Sequence, residues 1–169
     1  MKTVEELPLV DKDRQAIAAA VKLLREQFPI DKAILFGSKA TEALLSAHSE
    51  LQADRLDFAV NRAYYACFYA ASAVLLRMGK EFVKHSGLRG AVHRDLVKTG
   101  LLEPRWGKVF DRTFDNRQSG DYLAMWEFER EHAERLVYEA EGFVKEIDRL
   151  LGDPRADGES AGARARHEP

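Results

Sequence analysis

Apolar positions along this chain recur mostly with a helical period. From Asp11 onward, Ile17, Ala20, Val21, Leu24 and Phe28 follow each other at spacings of three and four, which predicts an amphipathic helix that Pro29 stops. The run Ala33-Ile34-Leu35-Phe36 and the turn signal Gly37-Ser38 predict a short strand entering a helix capped by Ser38. No second strand pattern accompanies it, so a sheet is not expected. Ala40, Leu44, Ala47 and Leu51 mark one face of the next helix, which ends near Asp54. Phe58 to Met78 is apolar nearly all round, interrupted only by Asn61, Arg62, Ser72 and Arg77, the pattern of a helix enclosed by others.

Gly79 ends that central helix, and a polar link through His85-Ser86-Gly87 leads to a shorter helix from Leu88 to Lys98, closed by Thr99-Gly100. Pro104 starts the next one, where Trp106, Val109, Phe110, Thr113 and Phe114 share a face; the same spacing carried forward lands on Arg117. Gly120 is expected to break the chain and Asp121 to cap a long helix through Ala133, Leu136, Val137, Ala140, Phe143, Ile147 and Leu150. Glu131 with Arg135, and Glu141 with Lys145, dress its wet side. From Gly152 the mixture of Gly, Ala, Arg, Asp and Pro has no apolar period and is expected to be a disordered tail. There is no internal repeat.

Composition narrows the partners. The 169 residues are 46% hydrophobic, enough for one domain burying very roughly two-thirds of its unfolded surface. A net charge of −2 excludes a generally basic nucleic-acid surface, so any RNA or DNA contact must be a local patch. The single cysteine, Cys67, lies in the central apolar pattern, where packing in a reducing cytosol is expected and a cysteine-ligated zinc site is excluded. Met1-Lys2 runs into Glu5 and Glu6 rather than an apolar core, so a cytoplasmic location is expected. The uncharged stretch Ala63 to Leu76 falls short of the ~20 residues of a membrane span and is expected to be a buried helix.

Two arginines stand among residues that otherwise look like core, Arg62 and Arg117. A guanidinium stays charged and is costly to bury without a partner, so each is either ion-paired or faces an anion. For Arg117 the structural alternative is a pair with Asp115 or Asp121; the functional one is neutralising a phosphate. Arg62, one turn after Phe58, has the same two readings with the structural one favoured. Tyr64, Tyr65 and Tyr69 have the spacing of core aromatics with hydrogen-bonded hydroxyls, against the alternative of base stacking. His85 and His93 lack metal-ligand spacing, so no metal is expected; either is a general base only if folding brings it beside Arg117. His132, among charges, is expected to be solvated.

Asp57-Phe58-Ala59-Val60-Asn61-Arg62-Ala63-Tyr64-Tyr65-Ala66-Cys67-Phe68, Lys84-His85-Ser86-Gly87, Lys98-Thr99-Gly100-Leu101-Leu102 and Asp115-Asn116-Arg117-Gln118-Ser119-Gly120-Asp121-Tyr122 together resemble the HEPN superfamily. The resemblance runs over 39–151 and implies an all-α, antiparallel bundle of about five helices that forms a homodimer, here with an extra N-terminal amphipathic helix. Many HEPN proteins are metal-independent endoribonucleases without cofactors, often toxins paired with a minimal nucleotidyltransferase (MNT) antitoxin. Their site is an arginine followed after four to six residues by a histidine. The histidine takes the proton from a ribose 2′-hydroxyl and the arginine stabilises the pentacoordinate phosphate. By that resemblance the catalytic pair here is Arg117 and Tyr122, with Arg62, Tyr65, Asp121 and His85 contacting RNA or a nucleotide. The chain departs from the pattern at Tyr122, which stands where the histidine would. With a reference pKa of about 10, a tyrosine is a poor base at neutral pH but a good hydrogen-bond donor to phosphate.

The segment Ala33-Ile34-Leu35-Phe36-Gly37-Ser38-Lys39-Ala40 resembles the Gly-Ser motif that opens the MNT nucleotidyltransferase fold. The two aspartates that would hold magnesium on the next strand are missing, so nucleotidyl transfer is not expected. Residues 1–38 are accordingly taken as a remnant of such an enzyme, 39–151 as the HEPN domain and 152–169 as the tail. A plain helix cap is favoured over phosphate binding at Gly37-Ser38. The expected function is a toxin–antitoxin or defence protein that contacts RNA or a nucleotide; the alternative is a non-catalytic helical module for dimerisation or antitoxin binding.

Overall fold

A computed structural model describes residues 33–82, 84–122 and 128–152, with side chains in the fourth helix described up to Arg117. The expected N-terminal helix over 11–28 and the tail after Gly152 lie outside the described residues. All regular structure among the described residues is helical: α1 (33–52), α2 (Leu56–Arg77), α3 (His85–Ala91), α4 (Pro104–Tyr122) and α5 (Arg130–Leu151). After α3 the chain continues without interruption into a π-helical stretch, Val92–Val97. This is the all-α bundle expected from the apolar periods.

Helix α2 is the axis, packing against α5, α4 and α3. Its inward positions are mostly small: Ala59, Ala63, Ala66, Cys67, Ala70, Ala71 and Ala73 are all buried. Small side chains let neighbouring helices approach on several sides, and the larger residues of those neighbours fill the space between. Helix α5 supplies Leu136, Val137, Phe143, Val144, Ile147 and Leu150 from one stripe, and α4 supplies Val109, Phe110 and Phe114. Phe110 and Phe143 meet at a ring separation of 5.8 Å, tying α4 to α5. Cys67 is fully enclosed, and burial pushes its thiol up to about 12, so it is packing and not a nucleophile.

Three local expectations need correction. Ala33 to Phe36 is helical, not a strand, and Ser38 is inside α1, where its hydroxyl donates to the Ile34 carbonyl at 3.2 Å. The Gly37-Ser38 backbone is therefore part of a helical turn rather than a cap or an anion cradle. Gly120 does not break the chain: α4 runs on to Tyr122, and α5 starts at Arg130, with Glu129 and not Asp121 in the cap position. One glycine costs a helix only about 1 kcal/mol, less than tertiary packing of an apolar face supplies. The helix expected from Leu88 to Lys98 begins earlier, at His85, and its second half is wound with π geometry, the Lys98 N–H reaching the His93 carbonyl at 2.9 Å.

That π segment places the buried Asp95 where Lys80 and Arg94 meet its carboxylate at 2.9 and 2.7 Å. The pair stitches the turn after α2 to the segment that follows α3. Gly79 and Gly100 lie at φ of 75° and 76°, a conformation glycine adopts without steric cost, and each closes a helical segment as expected. At the other end of the bundle, Arg130 at the start of α5 grips Asp54 in the α1–α2 turn at 2.7 Å.

Phe143 is fully enclosed at the centre of this core. Phe143→Ala is expected to lower unfolding free energy by about 3–5 kcal/mol in a denaturant titration. A loss below about 1 kcal/mol would show that α5 does not pack as described.

Candidate functional site

The first turns of α2 stand above the bundle's most enclosed part, and there its exposed face changes character. Asp57, Phe58, Val60, Asn61 and Arg62 from α2, Asn116 and Arg117 from α4, and Phe128 ahead of α5 line one open cleft of roughly 250 Å³. Arg62 and Arg117, the two arginines singled out by the sequence, thus share a cleft although they lie on different helices. Arg62 is exposed and therefore not a buried charge at all; Arg117 is half-buried.

Arg117 owes its burial to two aromatic rings of α2. Its guanidinium carbon sits 5.3 Å from the centre of the Tyr64 ring and 5.4 Å from that of Tyr65. The negative ring faces favour the cation and orient the guanidinium. Tyr64 is fully buried, and its hydroxyl lies 2.6 Å from Nδ1 of His85. Burial holds the Tyr64 phenol well above its ordinary value despite the opposing pull of Arg117, so it remains O–H. Burial first, and the Arg117 charge second, push the His85 pKa down, in the same direction. Arg117, Tyr64 and His85 form one electrostatically linked row.

The expected site residues separate into three groups. Arg62 and Arg117 line the cleft, Tyr65 supports Arg117 from below, and His85 is linked to Arg117 through Tyr64 without lining the cleft. The backbones of Asp121 and Tyr122 continue α4 past Arg117, and their side chains lie outside the described residues. Asp115, one of the two acids proposed as a structural partner for Arg117, is engaged by Arg89 at 2.9 Å. Arg89 also holds Asp111 at 2.7 Å, and Asp111 holds His93 at 3.0 Å. His93 is thus tied into an ion-pair network on the α3–α4 side, with its ring against Gly107.

His132 is not simply solvated, as its charged neighbours suggested. It is half-buried and donates from Nε2 to Asn116 Oδ1 at 2.8 Å, while its Nδ1 accepts from Arg135 at 2.8 Å. Its ring stacks on Phe128 with a 7° tilt. Asn116 in turn donates to the Arg112 carbonyl at 2.8 Å, so the residue next to Arg117 is held from two sides. Sequence reasoning passed over Phe58, Asn61, Asn116 and Phe128. Three of these carried a signal: Phe58 lies one turn before Arg62, Asn61 adjoins it, and Asn116 adjoins Arg117. Phe128 reaches the cleft only through the packing of α5, which no local spacing announces.

Among the described residues no cluster of three or more His, Cys, Asp or Glu is placed to hold a metal ion, and no helix is long and apolar enough to cross a membrane.

Residues 35–150 match the HEPN domain family. A protein of Thermotoga maritima named UPF0332 is 44% identical over 115 residues, covering 68% of this chain and 87% of its own. Two Methanocaldococcus jannaschii proteins, each named a putative toxin, are 33% identical over 144 residues and 30% identical over 128 residues. These alignments cover 85% and 76% of this chain, and 95% and 85% of the relatives. The matched span runs from the first turn of α1 to the last of α5 and contains every residue that lines the cleft; the chain belongs to the HEPN domain family.

Proposed function

We propose that this protein is a HEPN protein of toxin–antitoxin type that contacts RNA or a nucleotide through the cleft between α2 and α4. The observation that carries this reading is the placement of Arg117: its guanidinium is steadied on Tyr64 and Tyr65, and the residue lines the same open cleft as Arg62. Two guanidinium groups at one concave site favour a phosphodiester, which accepts paired N–H donors from each. The names of the Methanocaldococcus relatives support the toxin assignment. A homodimer and an MNT-type antitoxin are the partners that go with it.

Binding is the step that the described side chains support. Cleavage would require a group to take the 2′-hydroxyl proton as the 2′-oxygen attacks phosphorus and the 5′-oxygen leaves. The family's histidine position carries Tyr122, and the imidazole linked to Arg117 is His85, already hydrogen-bonded to Tyr64 through Nδ1. A mixed RNA pool in excess EDTA, treated with the protein and with Arg117→Ala, separates the two steps. Arg117→Ala is expected to weaken RNA binding about tenfold or more, the scale of one lost charge-assisted contact, while the far-ultraviolet dichroism stays helical. Products with 2′,3′-cyclic phosphate ends that vanish in the variant would establish a metal-independent ribonuclease. Unchanged RNA binding by Arg117→Ala would refute the proposal in favour of a helical module for dimerisation or antitoxin binding.

His85 also predicts a pH dependence. Its folded pKa lies below the unfolded value of about 6.5, so the unfolded chain binds more protons in that window. Its contribution to stability is full above pH ~6.5 and is lost as pH falls from there through the lower folded pKa. Thermal melts between pH 7.5 and 5 are expected to show a falling Tm that flattens in His85→Gln. An identical slope in the variant would place the titration elsewhere.

A further inference from the structure

We propose that the cleft accepts one nucleotide unit of single-stranded RNA, its base stacked on the Phe58 ring and its phosphate held by Arg62 and Arg117. This rests on the RNA reading above and specifies its substrate class. Phe58 is 55% exposed, although α2 otherwise turns its aromatic residues into the bundle: Tyr64 is fully buried, and Tyr65, Phe68 and Tyr69 are partly covered. An open phenyl ring at the edge of a cleft with two guanidinium groups matches the way proteins hold unpaired bases, by stacking beside a positively charged track.

Helical geometry supplies the spacing. Phe58 and Arg62 are four residues apart on α2 and lie on one face, with roughly 5–6 Å between their Cβ atoms. The separation of a base from the phosphate of its own nucleotide is of the same order. Asp57 and Asn61, also four apart, line the same cleft and bring to it a carboxylate and an amide, groups that match the N–H and C=O edge of a base. The Asp57 charge repels phosphate, which orients the nucleotide with its phosphate toward the arginines. Asn116 is occupied by His132 and Arg112 and frames the cleft instead of reading the base. A cleft of roughly 250 Å³ suits a single flipped or unpaired base, and a paired base within a duplex has no free face to stack.

The test measures the affinity of a short fluorescent single-stranded RNA and of the same strand made abasic, for the wild-type chain, Phe58→Ala and Phe58→Trp, with sedimentation of each protein. Phe58→Ala is expected to weaken the base-containing strand about tenfold, to leave the abasic strand unchanged, and to leave the sedimented mass unchanged. Phe58→Trp is expected to restore affinity and to show indole quenching on binding. Equal affinities of wild type and Phe58→Ala for the base-containing strand, or equal losses for both strands, would overturn the stacking role while leaving the arginine contact standing. A changed sedimented mass without selective loss would overturn it in favour of a face that meets a second copy. Failure of the wild-type chain to bind either strand would overturn the RNA reading itself.

Discussion

Everything in this bundle depends on α2 being narrow where it is enclosed. A run of alanines lets α3, α4 and α5 come close on several sides, and the core is completed by large residues that those helices bring. The same closeness positions the site. Only because α4 packs tightly along α2 does Arg117 arrive over Tyr64 and Tyr65, where a guanidinium can be half-buried without an apolar wall around it. One helix therefore acts as core for most of its length and as half of a cleft in its first turns.

The buried polar groups around Arg117 form a graded row. Tyr64 is closed off from water, yet its oxygen sits beside a cation and is hydrogen-bonded to an imidazole, so the buried hydroxyl is not left unsatisfied. Burial and the neighbouring Arg117 charge both lower the His85 pKa, which favours the neutral imidazole. On the opposite flank, His132 and Asn116 brace the backbone turn that carries Arg117. Polar bonds of this kind add little net stability each, but they fix the orientation of the side chains they join.

Much of the fold was legible because its helices are strongly periodic. The stripe from Ala133 to Leu150 matched the buried face of α5, and Arg117 followed from extending the α4 stripe by one turn. Boundaries were less legible: Gly120 looked like a break, but a single glycine is too weak to end a packed helix, and α5 begins only at Arg130. The apolar run Ala33 to Phe36 was ambiguous between strand and helix because four residues show no period; continuity with α1 decided it. Within the site, Arg62 and Arg117 were visible as charges out of place, whereas the link from Arg117 through Tyr64 to His85 spans three segments and exists only after folding.

RNA contact at this protein is proposed for the cleft between α2 and α4. A titration of a short single-stranded RNA into isotope-labelled protein, followed by backbone and arginine side-chain resonances, tests it residue by residue. Saturable shifts are expected to concentrate on residues 57–65 and 116–117, with the arginine Nε signals of Arg62 and Arg117 among the most affected. Shifts confined to the Arg89, His93 and Asp111 network, or none that saturate, would contradict it.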